Sequence, residues 1–337
     1  MKKQLTLLFM ILLLTMAAVA CGTEEDASGA TAADETNEEE TEATDDTEAT
    51  DDEAEQSGEV VVEHELGETT VTKSPENVVV FDYGVLDTLR ELEADIAAVP
   101  QGNIPHYLDE FEDSAYENAG TLFEPDFEKI YDIQPELIII SGRSSEAYDE
   151  LNDIAPTIYM GVDTENYVES FKKNARVLGE IFEKEDVVEG ALADIEGAIE
   201  TLNSEASESD KNGLIILAND GSVSAYGPGS RFGVIHEDFG ISPADEQIEA
   251  STHGQNISFE YIVETDPDYI FVIDRDQAIG EDEDAGSQSI VENELVMNTK
   301  AYEEGNIIYL DPAYWYLAGG GLTSVSEMVS EIQEAIN

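Results

Sequence analysis

A chain of 337 residues with 78 acidic and 14 basic side chains carries a formal charge of −64, which argues against nucleic acid and anionic lipid headgroups as charge-driven partners. Its 41% hydrophobic content excludes wholesale disorder, while its length exceeds what one hydrophobic core commonly fills, so two lobes are expected. One cysteine excludes any internal disulfide and any cysteine-cluster metal site.

Residues 1–20 read as a targeting segment: Lys2 and Lys3 precede the apolar run LTLLFMILLLTMAAVA, whose 16 residues fall short of the roughly 20 that span a bilayer. Cys21 follows Ala18, Val19 and Ala20, an arrangement that resembles the bacterial lipobox, where the thiol is acylated and becomes the mature N-terminus; Ala18 stands where leucine is usual. An uncleaved anchor and a secreted chain with an incidental thiol are the competing readings. Two or three acyl chains suffice for stable anchoring, here on the outer face of a cytoplasmic membrane. Residues 22–59 hold 17 acids and neither a basic nor an aromatic residue, so they build no core and serve as a self-repelling tether. With those 17 acids and the two leader lysines set apart, the body still carries about −49, so the tether does not explain the acidity.

Beyond residue 60, short apolar runs alternate with amphipathic stretches. VVVF (78–81), LIII (137–140), TIYM (157–160), LIILA (214–218), YIFVI (269–273) and NIIYL (306–310) have the length and Val/Ile content of strands buried on both faces of a parallel sheet. Helical spacing appears at 84–93, 126–133, 145–153, 165–183, 187–204, 259–264 and 322–336. The alternation predicts an α/β fold.

An internal repeat refines that class. FEKIYDIQPELIIISGR (127–143) matches FEYIVETDPDYIFVIDR (259–275) at a constant offset of 132. In each copy a short helix begins at a glutamate, stops before a proline and leads into a buried strand that ends in arginine. Two copies of one unit predict two similar three-layer lobes with mainly parallel sheets and a ligand cleft between them. NYVESFKKNARVLGEIF (166–182) predicts a helical rod of about 25 Å, long enough to link two lobes, although an ordinary crossover helix has the same pattern. The expected organisation is a signal peptide at 1–20, lipidated Cys21 and tether at 21–59, an N-terminal lobe at 60–163, a linker helix at 164–185 and a C-terminal lobe at 186–337.

The five arginines locate the chemistry. Arg143 and Arg275 occupy the repeat position at predicted strand ends, where open α/β sheets bind ligands, and Arg231 sits in the glycine-rich loop YGPGSRFG (226–233) beside Tyr226. One arginine alone is accounted for by an ion pair with a neighbouring carboxylate; three so placed suggest a cradle for an anionic, oxygen-rich ligand. The loop lacks the G-x-G-x-x-G spacing of a dinucleotide site. Trp315, in DPAYWYLAGGG (311–321), and Tyr83, just after the first strand, are candidates for contact with a planar ligand, with a packed corner as the alternative for Trp315. Glu128 and Glu260 fall in the first turn of each repeat helix, where a carboxylate complements the helix dipole, and their symmetry allows one contact per lobe with a partner spanning both. The four histidines show no metal-ligand spacing, and no familiar hydrolase motif appears.

Together, the lipobox-like Cys21, the paired FExIxxxxP segments, the rod helix and GSRFG resemble the substrate-binding lipoproteins of bacterial iron-siderophore ABC importers over about residues 60–337. The stretches VVVFDYG, IISGR, GSRFG, STHGQ (251–255) and YLDPAYWYLAGGG look most like the branch that binds petrobactin, a catecholate-citrate siderophore. The resemblance implies a ferric siderophore held between two lobes by Arg143, Arg231 and Arg275; Tyr83, Tyr226, His253 and Trp315 are expected as further ligand contacts. It also implies that Glu128 and Glu260 dock on arginines of a membrane permease. On this reading the protein is a monomeric binding protein and not an enzyme, with no metal site or cofactor of its own, iron(III) arriving only inside the chelate. Another iron chelate or haem is the alternative ligand, and a tethered surface enzyme the less favoured alternative activity.

Overall fold

The computed structural model describes residues 58–280 and 287–337; Cys21, the leader and the tether up to residue 57 lie outside them. Among the described residues a hairpin of β1 (Glu59–His64) and β2 (Gly67–Thr72) precedes the first sheet. That sheet contains β3 (Val78–Val80), β4 (Ile96–Val99), β5 (Glu117–Asn118), β6 (Ile138–Ile140) and β7 (Thr157–Tyr159) in the order β5-β4-β3-β6-β7, every pairing parallel. Helices α1 (Tyr83–Glu91), α2 (Phe127–Ile133) and α3 (Tyr148–Asn152) alternate with its strands, and α4 (Tyr167–Ile181) and α5 (Glu185–Ser207) lead to the second sheet.

The second sheet contains β8 (Asn212–Asn219), β9 (Ser222–Tyr226), β10 (Ser242–Pro243), β11 (Gln255–Ile257), β12 (Tyr269–Asp274) and β13 (Ile307–Leu310). Its order is β11-β9-β8-β12-β13, with β10 on β8; β8, β10, β12 and β13 run parallel, and β9 and β11 make antiparallel pairings at one side. Helices α6 (Val234–Glu237), α7 (Phe259–Thr265), α8 (Arg275–Ile279), α9 (Ser287–Val291), α10 (Lys300–Glu304) and α11 (Leu322–Ile336) complete the chain. All six apolar runs read as strands are strands. The expected helix at 145–153 is a 3₁₀ turn, Gly142–Ala147, followed by α3.

Strand side chains alternate between two apolar layers, as the period of two requires. Val78, Val80 and Ile139 join one core, while Val79, Ile138 and Ile140 join an outer cluster with Ile130 of α2. In the second sheet Ile215, Phe271 and Ile273 face the first core, and Leu214, Ile216, Ile270 and Val272 an outer cluster. That shared core also takes Leu86 of α1, Phe171 and Leu178 of α4, Leu192 of α5 and Val325 and Met328 of α11, so one continuous apolar layer joins the two sheets. Helix α4 turns back into α5, and the pair is clipped by ion pairs of Lys172 with Glu196 and of Arg176 with Glu189.

The two repeat units are built alike. Asp126 caps α2 by accepting from Lys129 N at 3.0 Å, and Ser258 caps α7 by accepting from Tyr261 N at 3.3 Å. Each helix ends in a left-handed residue, Gln134 (φ 54°) or Asp266 (φ 43°), immediately before its proline. The strand that follows, β6 or β12, delivers its arginine to the same end of its sheet.

A seam joins α1 to α11. Gly321 begins α11 without a side chain to cap it, and Asp87 of α1 does so instead: its carboxylate accepts from Ser324 N at 2.7 Å and Thr323 N at 3.3 Å. The backbones approach so closely that a Cβ on Gly84 would lie 2.8 Å from Gly319 O. The run of glycines at 319–321 therefore serves packing.

Asp238, just after α6, is half-buried; burial, then the charges of Glu237 and Glu169, push its carboxyl up to about 6 from 3.8. A carboxyl whose folded pKa lies above its unfolded value adds stability at low pH and loses that contribution as pH rises through about 6. Asp238→Asn is therefore expected to raise the melting temperature at pH 7.5 relative to wild type but not at pH 4. Thermal melts at both values check this, and an equal shift at the two would contradict it.

Candidate functional site

A cavity of about 1150 Å³ opens between the two sheets. The first sheet and its connections contribute Asp82, Ser141, Arg143 and Tyr159; α4 contributes Tyr167 and Lys173; the far side contributes Arg231, His253 and Tyr316. Thr164, at the entry to α4, lies 3.5 Å from Gly229 O across this space.

The three predicted arginines converge on one residue, Tyr316. Arg143 donates to Tyr316 O at 2.6 Å and Leu317 O at 3.2 Å. Arg231 donates to the same Tyr316 carbonyl at 2.6 Å and lays its guanidinium 4.2 Å from the ring centroid, a stacking distance. Arg275 donates through Nε to the Tyr316 hydroxyl at 3.1 Å and through Nη1 to Asn219 at 3.0 Å, with Asp276 3.9 Å away. Arg143 and Arg231 line the cavity, and Arg275 reaches its edge through Tyr316. Neither Arg143 nor Arg231 makes an ion pair with a described carboxylate. Burial, and then the Arg143 charge, hold the Arg231 guanidinium below its usual pKa, yet an arginine stays protonated at neutral pH. Two like charges held around one carbonyl repel each other, and an anion placed between them relieves that repulsion. The arrangement suits reversible binding of an anionic ligand with planar, oxygen-rich groups.

The loop carrying Arg231 is closed on itself. Gly229 adopts φ +70° and donates its N–H to Glu237 at 3.0 Å, while the Ser230 hydroxyl donates to Gly227 O. The Gly229 N–H is thus unavailable to a phosphate.

Several aromatic expectations need correction. Tyr83 is fully buried and does not line the cavity; its hydroxyl donates to Pro100 O at 3.0 Å and Gly102 O at 2.7 Å, anchoring a loop, and burial pushes its pKa up. Tyr226 is 1% exposed, packs edge-on against Phe232 at 4.7 Å and is likewise off the cavity wall, its pKa pushed up to about 12 by burial. Gly254 (φ +72°) lets the STHGQ loop pass over it, since a Cβ there would lie 2.7 Å from the Tyr226 ring. Trp315 borders the cavity but is 3% exposed: its indole N–H donates to Glu331 at 2.6 Å and its ring meets Phe239 edge-on. A π-helical turn at Ala313–Leu317 points Trp315 inward and leaves Tyr316 half-exposed, so the accessible aromatic face belongs to Tyr316. The aromatic run YWY flagged the segment, but not which ring would turn outward. His253 is exposed at the rim. Lys173, which sequence reasoning did not single out, brings a further cation to the wall.

Glu128 and Glu260 are both exposed in the first turns of α2 and α7. Hydrogen bonds from its own backbone N–H and from the Ser258 hydroxyl hold the Glu260 carboxyl below its usual pKa.

The profile of the periplasmic binding protein family matches residues 78–314. The chain belongs to this family. Among its members, the petrobactin-binding protein YclQ of Bacillus subtilis is 50% identical over 282 residues, 82% of this chain and 88% of the relative. The YclQ crystal structure superposes with a TM-score of 0.80, covering 83% of this chain and 99% of that one. The ferric-anguibactin-binding protein FatB of Vibrio anguillarum is 31% identical over 81% of this chain and 86% of its own length. The periplasmic catecholate-siderophore binding protein VctP of Vibrio cholerae is 36% identical, with a TM-score of 0.79 over 82% of this chain and 99% of that one. These matches bear out the two-lobe α/β fold of siderophore-binding proteins that the sequence repeat predicted.

Proposed function

We propose that this periplasmic binding protein captures a ferric catecholate siderophore of the petrobactin type between its lobes and delivers it to the permease of an ABC importer. The observation that carries the reading is the convergence of Arg143, Arg231 and Arg275 on Tyr316 at the wall of one cavity. That YclQ binds petrobactin, FatB ferric anguibactin and VctP a catecholate siderophore supports the same reading. An iron(III) catecholate is anionic and planar at its oxygens, so guanidinium groups supply both charge and stacking. The overall negative field opposes capture. Close pairs in a partly desolvated cleft still prevail, because salt screens charges beyond about 8 to 10 Å and screens buried pairs much less.

The iron enters as cargo, and the protein supplies recognition rather than chemistry. In this reading Cys21 carries the lipid anchor on the outer face of the cytoplasmic membrane, 21–59 is the tether, 60–163 and 186–337 are the lobes of a monomer, and 164–185 links them. Glu128 and Glu260 each meet an arginine of the permease; uptake of labelled siderophore by cells whose protein carries E128A and E260A tests this, and undiminished uptake excludes it.

Trp315 beside Tyr316 gives a direct assay of the ligand. Titration of the detergent-solubilised chain with ferric petrobactin, ferric citrate, a ferric hydroxamate and haem is expected to quench its fluorescence most strongly with the catecholate. Quenching by haem or citrate alone would move the assignment to those ligands, and none by any ferric chelate would end it.

A further inference from the structure

Beside the main cavity lies a groove of about 610 Å³ that shares Phe123, Gly142 and Arg143 with it, so the two spaces adjoin at the Arg143 side chain. Its chemistry is the reverse of the arginine cradle. Glu146 and Glu150, one helical turn apart, line it, and both are exposed and make no ion pair among the described residues. Glu124 adds a third carboxylate, and Arg143 is the single cationic residue of the lining. Phe123 and Phe127, 70% and 39% exposed, present aromatic surface to the same space, an unusual display for large apolar side chains. Ser144 completes the wall; the residue is 2% exposed, and its hydroxyl has no hydrogen-bond partner among the described residues.

We infer that this groove is a subsite for a protonated amine in an arm of the bound chelate, an organic ammonium held between Glu146, Glu150 and the faces of Phe123 and Phe127. The inference rests on the siderophore reading above and adds a specificity determinant to it. Carboxylates next to open aromatic faces are the side chains that recognise alkylammonium groups, through ion pairing and cation–π attraction. An inorganic cation is not favoured, since no cluster of three metal-ligating side chains occurs among the described residues. An anionic arm would be repelled by the same carboxylates. Arg143 stands at the junction of the two spaces, so a ligand with an anionic chelate and a cationic arm is oriented as well as held: the chelate lies on the arginine side and the amine on the glutamate side.

A matched pair of probes tests this: the ferric complex of a bis(catecholamide) on a triamine linker with its central amine free, and the same complex with that amine acetylated. Fluorescence titration of the full-length wild-type chain is expected to show tighter binding of the free-amine chelate. E146Q with E150Q is expected to reduce that preference about fivefold while leaving affinity for the acetylated chelate unchanged, the scale of exposed ion pairs. A control with the same change of net charge, E185Q with E200Q on α5, leaves the preference intact. Persistence of the preference in the groove variant, an equal loss in the control, or no preference in wild type overturns the subsite. Failure of wild type to bind either chelate instead removes the siderophore reading, and the subsite with it.

Discussion

Replacing Arg231 with alanine weakens binding of a ferric catecholate by about tenfold to a hundredfold, because a hydrogen bond to a charged group contributes roughly 1.5 to 3 kcal/mol. Arg231 is expected to have a larger effect than Arg275. It lines the cavity and makes no described ion pair, whereas Arg275 is engaged with Asn219 and lies within 3.9 Å of Asp276. Arg231 also stacks on Tyr316, so its plane is fixed before the ligand arrives and little side-chain entropy remains to be lost on binding. Lysine at 231 keeps the charge but can neither stack as a plane nor donate as a fork, so R231K recovers only part of the loss. Equilibrium titration by tryptophan fluorescence measures both variants. An R231A affinity equal to wild type would remove this arginine from the ligand cradle.

The largest expected effect on stability lies at the α1–α11 seam. Asp87 is fully buried, accepts two backbone N–H groups from the first turn of α11 and lies 3.7 Å from Arg90. Burial pushes its carboxyl pKa up, against the hydrogen bonds from Ser324 and Thr323 and the charge of Arg90, which pull it down. Alanine at 87 leaves those N–H groups without an acceptor in a dry environment and removes one of the partners of Arg90, which keeps Glu91 at 3.0 Å, at a cost of about 3 kcal/mol. For a folded body of this size that corresponds to a fall of about 5 °C in melting temperature. Asparagine keeps one acceptor oxygen and should cost less. Calorimetry of wild type, D87A and D87N checks the order, and a D87A melting point within a degree of wild type would refute the capping role.

Much of this architecture is legible in the chain because its strands are unusually plain. LIII, YIFVI and LIILA are fully buried on both faces, so each is apolar throughout and bounded by polar residues. The repeat is legible for a related reason: a cap, a left-handed residue and a proline recur in fixed order in both copies. The hairpin of β1 and β2, the edge strand β11 and its antiparallel neighbour β9 escape such reading. They are half-exposed, with polar residues such as Ser222, Ser224 and Gln255 inside them, and their pairing is set by neighbours rather than by composition. The arginines are legible by scarcity and position. Tyr316 is not, because a one-residue rotation within a π-helical turn decides whether Trp315 or Tyr316 faces the cavity. Tyr83 and Tyr226 misled for a comparable reason: each follows or ends a strand, but its ring turns into the core.

The seam also sets an order of events during folding. Asp87 and Ser324 are 237 positions apart, so the carboxylate that sits dry in the finished protein waits in solvent until that whole stretch has been made. Contacts of such long range form slowly, since a large loop must close before any of their energy is gained. The first sheet cannot finish its side of the shared core until Leu322–Ile336 arrives to cover it. A chain cut short before residue 322 would therefore leave the apolar face of α1 uncovered, the kind of exposed surface that makes an incomplete protein prone to aggregate.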